Sequence, residues 1–155
     1  MNTKTNKKFL IGSGVFIFAL LGFIVFAETE KEIEKSFKKG IEYSNEGKYD
    51  QAIKEFTKII TNEKDYANAY FAMGIVYINK KMENEAEKLL EKAVELDPDN
   101  SRAHFVLARL YEKLEQEEKA IKTWENYIKL SSDDKHEKIA EKHLKRLRKK
   151  IENKE

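Results

Sequence analysis

The segment Asn68–Asn100 reads NAYFAMGIVYINKKMENEAEKLLEKAVELDPDN, and its pattern returns on both sides at one fixed spacing. Each copy holds two stretches in which apolar residues recur every three or four positions, which is typical of amphipathic helices. Five columns run through three copies: Phe37, Phe71 and Phe105; Gly40, Gly74 and Ala108; Tyr43, Tyr77 and Tyr111; Ala52, Ala86 and Ala120; Phe56, Leu90 and Trp124. The members of each column are 34 residues apart, and a fixed repeat period of this length predicts a helical repeat array.

The columns of small residues predict where the helices of one unit approach most closely. Helices packed at about 8–10 Å leave no room for a large side chain at the nearest point. We therefore expect Gly40, Gly74 and Ala108 on the first helices to face Ala52, Ala86 and Ala120 on the second helices. Helix caps are predicted at Asp65, at Asn100 or Ser101, and within Ser132–Asp134.

These units resemble tetratricopeptide repeats, and the middle unit is the most similar. Its signature positions hold Tyr70, Met73, Gly74, Tyr77, Ala86, Leu90, Ala93 and Pro98. The first unit departs from the signature at Ser36, Lys39 and Lys64, and the third departs at Tyr127 and Ser132. The resemblance implies an all-α fold, a short right-handed α-solenoid of three helix-turn-helix repeats at residues 33–66, 67–100 and 101–134.

The N-terminus has a different composition. After a polar, basic tail at residues 1–8, the segment Phe9–Ala27 contains no charged residue. As a helix it would be about 28 Å long, close to the ~30 Å hydrocarbon core of a bilayer. We predict a transmembrane anchor in the lipid bilayer, joined to the repeats by a linker at residues 28–32. The alternative is a cleaved signal peptide ending at Ala27, but the apolar run is longer than such segments usually have.

The orientation of this anchor stays open. Lysines flank it on both sides: Lys4, Lys7 and Lys8 before it, and Lys31, Lys35, Lys38 and Lys39 after it. Lys7 and Lys8 adjoin the apolar run directly, and basic residues beside a span favour the cytoplasmic side. We therefore favour a single-pass protein of the cell membrane with its repeats outside the cytoplasm.

Residues 135–151 are predicted to form a basic amphipathic helix, followed by a tail at residues 152–155. Ala140, Leu144, Leu147 and Ile151 form one apolar stripe at helical spacing. We interpret this helix as a cap on the third unit, because terminal repeats need a polar outer face. The alternative is contact with an anionic membrane surface, although the stripe is narrow and lacks aromatic residues.

No pattern in the sequence indicates catalysis. The chain has no cysteine, and it contains no phosphate-binding glycine loop or nucleophile motif. Its three histidines, His104, His136 and His143, do not form a metal-binding pattern. The net charge of +2 gives no reason to expect nucleic-acid binding. We predict no catalytic residue, metal, cofactor or small-molecule substrate.

The resemblance implies a concave surface lined by the first helix of each unit. The residues of this predicted groove are Phe37, Ile41, Asn68, Phe71, Ile75, Ile78, Asn79, Arg102, Phe105 and Arg109. Relatives that bind chaperone C-termini use a clamp of lysines, asparagines and an arginine. The corresponding positions here hold Phe37, Ile41, Ala72, Arg102 and Val106, so that clamp is absent.

The phenylalanine column defines a ladder, Phe37–Phe71–Phe105. If the ladder is exposed, it predicts a site for an apolar helix or peptide with an acidic group near Arg102 or Arg109; the alternative is that the rings pack between helices. We expect a membrane-tethered scaffold or adaptor that binds a protein or peptide partner and assists the assembly or translocation of envelope proteins. The alternatives are a cytoplasm-facing receptor for targeting peptides and a secreted repeat protein.

Overall fold

In the computed structural model, residues 29–131 and 134–153 are described, and this part of the chain is entirely α-helical apart from short turns. The described residues form seven helices: α1 at residues 29–45, α2 at Tyr49–Asn62, α3 at Ala67–Asn79, α4 at Glu83–Leu96, α5 at Ser101–Lys113, α6 at Glu117–Leu130 and α7 at Asp134–Glu152. The predicted helix-turn-helix fold is therefore confirmed.

The predicted membrane anchor at Phe9–Ala27 lies outside the described residues. No helix within residues 29–131 and 134–153 has the length and apolar character needed to cross a membrane. Ser132 and Asp133, two of the three residues predicted to cap α7, also lie outside the described part.

The turn between the two helices of each unit has one geometry. Gly47, Lys81 and Glu115 have left-handed φ angles of 74°, 62° and 56°. In each turn the N–H of the next residue donates to the carbonyl of a column tyrosine; the bond from Met82 to Tyr77 is 3.0 Å long. This is the Schellman arrangement that ends helices. Only Gly47 indicates it in the sequence, since lysine and glutamate rarely adopt a left-handed conformation.

Two predicted caps have different outcomes. Asn100 caps α5, because its Oδ1 accepts a hydrogen bond of 3.1 Å from the backbone N–H of Ala103. The prediction for Asp65 is wrong. The chain enters α3 one residue later, with Tyr66 at the N-cap and no side-chain hydrogen bond there.

The core consists of two clusters. The N-terminal cluster contains Ile33, Ala52, Phe56, Ile59, Ala69, Ala72, Met73 and Val76. The C-terminal cluster contains Ala86, Leu90, Leu107, Ala108, Leu110, Tyr111, Ala120, Trp124, Tyr127, Ala140, Leu144 and Leu147. Tyr77 of α3 packs against both clusters. The middle unit therefore joins the two halves of the core, as expected for an array stabilised by contacts between neighbouring units.

The glycines at the helix crossings meet larger partners than predicted. A Cβ added at Gly40 would lie 2.5 Å from Cε1 of Phe56, and one at Gly74 would lie 2.8 Å from Cγ of Leu90. At Gly74 the backbone oxygen of Ala86 also lies 3.6 Å from the added Cβ, as expected, but the ring of Phe56 and the side chain of Leu90 make the closest approaches. Ala52 and Ala86 are fully buried nearby.

Ion pairs repeat along the array. An acidic residue in the first turn of α2, α4 or α6 pairs with a lysine near the end of the following odd-numbered helix. The pairs are Asp50–Lys80 at 2.5 Å, Glu83–Lys113 at 2.5 Å and Glu117–Lys150 at 2.7 Å. In the third pair, α7 therefore takes the position that α3 and α5, the first helices of their units, take in the other two pairs.

Helix α7 closes the C-terminal cluster. Its side chains Ala140, Leu144 and Leu147 are buried there. Each of these buried residues is preceded by a lysine two positions earlier: Lys138, Lys142 and Lys145. These lysines are exposed to solvent, because a shift of two positions leads to the opposite face of a helix. This helix therefore has one apolar face in the core and one lysine face in water.

Candidate functional site

A hollow of about 640 Å³ opens between the odd-numbered helices near the C-terminal end. Its apolar lining comes from Phe71 and Ile75 of α3 and from Phe105 and Val106 of α5. The rest of the lining comes from the start of α5, the end of α6 and the start of α7: Ser101, Arg102, Tyr127, Leu130, Ser131, His136 and Ile139. We call it the Phe71 hollow. It has the size and apolar character typical of binding sites.

A second hollow, of about 520 Å³, adjoins the first. It is lined by Ile78 of α3, by Arg109, Leu110, Glu112 and Lys113 of α5 and by Arg146 of α7. We call it the Arg109 hollow. Phe105 and Val106 line both hollows. The two hollows are therefore parts of one groove, which runs along α5 with α3 and α7 as its sides.

The structure brings together six of the ten predicted groove residues. Phe71, Ile75, Arg102 and Phe105 line the Phe71 hollow, while Ile78 and Arg109 line the Arg109 hollow. Phe37, Ile41, Asn68 and Asn79 line neither hollow.

The predicted ladder of three phenylalanines divides. Phe37 packs in the N-terminal cluster, with ring centres 5.7 Å from Phe56 and 5.9 Å from Tyr66. Phe105 packs edge-on against Trp124 at 5.3 Å, yet it also lines both hollows. All three rings are only half-buried. Each ring is therefore partly packed against neighbouring side chains and partly exposed. Of the three, Phe71 and Phe105 line the same hollow, and Phe37 does not.

The sequence interpretation missed the wall contributed by α6 and α7. Ile139 and Arg146 belong to it. A signal was present, because Ile139 follows Phe105 by one repeat period and Arg146 follows Glu112 by the same step. Extending the repeat period into the C-terminal helix would have placed both residues in the groove.

Arg102 and Arg109, the two arginines that α5 contributes to the groove, have no acidic partner among the described residues. The guanidinium carbon of Arg102 lies 5.6 Å from the ring centre of Phe71, a cation–π contact. Arg102 and Arg109 are both exposed, and within residues 29–131 and 134–153 neither forms an ion pair with a carboxylate. The cationic groups therefore face the open groove.

Glu112 is the acidic residue of the lining, and its carboxylate is occupied. Oε1 accepts a hydrogen bond of 2.6 Å from Nε1 of Trp124 and lies 2.7 Å from Nδ1 of His143. Oε2 accepts a hydrogen bond from Arg146. The His143 ring also stacks on Trp124 with centres 4.7 Å apart. This cluster joins the groove to α7 and compensates the negative charge of Glu112.

Two of the histidines take structural positions. His104 is buried, with Nε2 2.9 Å from the Pro98 carbonyl oxygen, and His143 belongs to the cluster around Glu112. Within the described ranges, no group of three histidine, aspartate or glutamate side chains is placed to hold a metal ion.

Comparison with solved structures reproduces this fold. The first TPR domain of Spaghetti (RPAP3), bound to an HSP90 peptide, superposes with a TM-score of 0.69 at 22% identity, covering 78% of this chain and 94% of that one. The Yersinia enterocolitica type III secretion translocator chaperone SycD gives 0.70 at 14% identity, covering 77% and 86%. The TPR2B domain of yeast Sti1, in a complex with pHsp70, gives 0.68 at 18%, covering 77% and 98%. At these identities the likeness shows the fold alone.

The sequence itself establishes the family. No curated protein matches the chain. The sequence profile of the tetratricopeptide repeat matches residues 45–94 and 82–136, which together span more than half of the chain. With its paired helices, repeated turns and column residues, the chain belongs to the tetratricopeptide repeat family.

Proposed function

We propose that this chain is a membrane-tethered scaffold that captures a segment of a partner protein in the groove along α5. The observation that carries the proposal is the open apolar surface formed by Phe71, Ile75, Phe105 and Ile139. Exposed apolar surfaces of this kind mark sites for protein partners. No catalytic constellation accompanies it among the described residues, so binding is the function that this geometry supports best.

Relatives of the same fold support a peptide ligand. The RPAP3 domain is bound to an HSP90 peptide, and SycD has been solved in complex with a peptide of the translocator YopD. Because the residues of the chaperone clamp are replaced here by Phe37, Ile41, Ala72 and Val106, we propose a ligand with more apolar character than a chaperone C-terminus.

The tether is proposed from the sequence. The uncharged run Phe9–Ala27 supports a single-pass anchor, and Lys7 and Lys8 beside it support a cytoplasmic N-terminus. The repeats would then capture a partner outside the cytoplasm, in the assembly or translocation of envelope proteins.

Site-specific photo-cross-linking tests the groove. A benzophenone amino acid is placed at Ile75 in the groove or at Lys88, an exposed position on α4 that lies outside both hollows. Irradiation of cells should give a discrete adduct from position 75, weakened by Phe71→Ala, and none from position 88. Equal adducts from both positions, or none from position 75, would overturn the proposal.

Cysteine labelling tests the topology, because the chain has no cysteine of its own. A single Lys122→Cys variant is treated with a membrane-impermeant maleimide. Labelling of membrane-bound protein in intact cells supports the proposed orientation. Labelling only after permeabilisation supports the cytoplasm-facing receptor instead. Recovery of a shortened chain in the medium supports the secreted form.

A further inference from the structure

We infer that the captured segment carries two carboxylates separated by two turns of an α-helix, about 10 Å, with a large apolar side chain between them, and that Arg102 and Arg109 bind these carboxylates. This inference rests on the proposed function, since it specifies the ligand of the same groove. It concerns the charge pattern of the ligand, whereas the proposed function concerns only the capture of a segment.

The spacing follows from α5. Arg102 and Arg109 are seven residues apart, or two helical turns, which corresponds to about 10.5 Å along the axis. Residues at this separation share one helix face. Phe105 and Val106 lie between them in the sequence, and both line the two hollows. The backbone of α5 therefore places two arginines two turns apart on one face, with the apolar surface of Phe105 and Val106 between them.

The charges of the groove favour an acidic ligand. Within the described residues, no acidic side chain lines the Phe71 hollow. In the Arg109 hollow, Glu112 is already bonded to Trp124 and Arg146 and is only 11% exposed. Lys113 is paired with Glu83. Arg102 and Arg109 thus remain as uncompensated cations, and complementary charge on a partner both steers and aligns its binding.

The conformation of the ligand determines how many residues separate its two acidic side chains. An extended strand rises about 3.3 Å per residue, so carboxylates at positions i and i+3 span about 10 Å. In a helical ligand, positions i and i+7 span the same distance. Guanidinium groups can bind carboxylates with two parallel hydrogen bonds, so each arginine can pair with one acidic side chain.

Binding of synthetic peptides tests the inference. Fluorescein-labelled peptides carry glutamates at i and i+3 around a leucine, or at i and i+7 around two leucines, and matched peptides carry glutamine instead. The full chain is reconstituted in nanodiscs of zwitterionic lipid, and binding is followed by fluorescence anisotropy. Replacing one glutamate should weaken binding about 2- to 5-fold, the range of an exposed ion pair. Raising the salt concentration should weaken only the glutamate peptides.

Variants of the protein assign the contacts. Arg102→Gln and Arg109→Gln should each weaken the glutamate peptides about 2- to 5-fold and leave the glutamine peptides unchanged. Lys138→Gln, on the outer face of α7, is the matched control and should have no effect. Arg109→Glu should restore binding to a peptide whose second glutamate is replaced by lysine.

The outcomes separate the two proposals. If glutamate and glutamine peptides bind equally, and Phe71→Ala weakens both, the charge pattern is wrong and the proposed groove stands. If Phe71→Ala and Ile75→Asp change no peptide's affinity in a protein that keeps its helical circular dichroism, the groove is not the site and both proposals fail.

Discussion

The N-terminal cluster around Phe56 and the C-terminal cluster around Trp124 are built on the same column of the repeat, yet they are closed differently. Phe56 is fully buried and packs against aromatic neighbours such as Phe37. Trp124 is equally buried, but it donates a hydrogen bond to Glu112 and stacks on His143 of α7. The same column position can therefore hold an aromatic ring that only packs in the core, as Phe56 does. It can also hold one that packs and forms a hydrogen bond to a residue of the groove, as Trp124 does.

The largest expected effect comes from truncating the two aromatic side chains of this column. Trp124→Ala and Phe56→Ala should each lower the free energy of unfolding by about 3–5 kcal/mol. Trp124→Ala should be the more severe, because Glu112 also loses a donor. Urea denaturation followed by circular dichroism measures both. An equal loss in the two variants would show that the polar connection contributes nothing to stability.

Filling the close contacts tests the same column from the opposite helix. Gly40→Ala and Gly74→Ala should destabilise the protein by about 1–3 kcal/mol through overpacking. Gly40→Ala should cost more, since its new Cβ would be 2.5 Å from the Phe56 ring, compared with 2.8 Å from Leu90 at Gly74. The midpoint of thermal unfolding reports the order. A stabilising Gly40→Ala would contradict the close approach of these helices.

Glu112→Gln tests the polar connection alone. It removes the charge that Arg146 and His143 face, and we expect a loss of about 1–3 kcal/mol. Hydrogen exchange should show faster exchange in α7 and unchanged exchange in α1 and α2. Glu125→Gln is the control, because its pair with Arg148 is solvent-exposed. If exchange in α7 does not change, Glu112 does not anchor the cap.

Tyr111 makes the C-terminal cluster sensitive to alkaline pH. Burial raises the pKa of its phenol well above the ordinary value, and the neighbouring Glu91, which accepts its hydrogen bond at 2.7 Å, raises it further. A raised pKa in the folded protein gives stability that is complete below the unfolded value of about 10 and is lost as pH rises beyond it. Tyr111→Phe should cost about 0.5–1.5 kcal/mol at neutral pH.

Denaturation between pH 8 and pH 11.5 checks this dependence. The wild-type protein should lose stability towards the upper end more steeply than Tyr111→Phe. Parallel curves for the two proteins would show that the phenol is not responsible.

The smallest effects are expected when the first and third ion pairs of the series, Asp50–Lys80 and Glu117–Lys150, are broken. The carboxylate of Asp50 is 89% exposed, whereas that of Glu117 is 6% exposed. Lys80→Met should therefore leave the unfolding midpoint unchanged within error, since exposed pairs contribute little. Lys150→Met should lower the midpoint measurably, because it takes away the lysine partner of a buried carboxylate. Equal midpoints would show that burial does not distinguish the pairs.

The fold was predictable because its information is periodic. The repeating columns of glycine, tyrosine and alanine specify paired helices, and a short period can be read without any knowledge of distant contacts. The groove was only partly predictable. The position of Phe37 depended on Phe56 and Tyr66 filling the space around it, and the wall from α7 depended on how that helix docks. The packing of Phe37 leaves little trace in spacing alone, whereas Ile139 and Arg146 of α7 could have been found by extending the repeat period into that helix.

The lysine face of α7 disfavours the packing of another helix against it. Lys138, Lys142 and Lys145 follow His104, Ala108 and Tyr111 by one repeat period. Lys142 therefore occupies the column in which Gly40 and Gly74 meet the second helices of their own units. A further helix, or the first unit of another copy, could dock there only by removing three ammonium groups from water, which is strongly unfavourable. The packing of another helix on this face of α7 is therefore disfavoured.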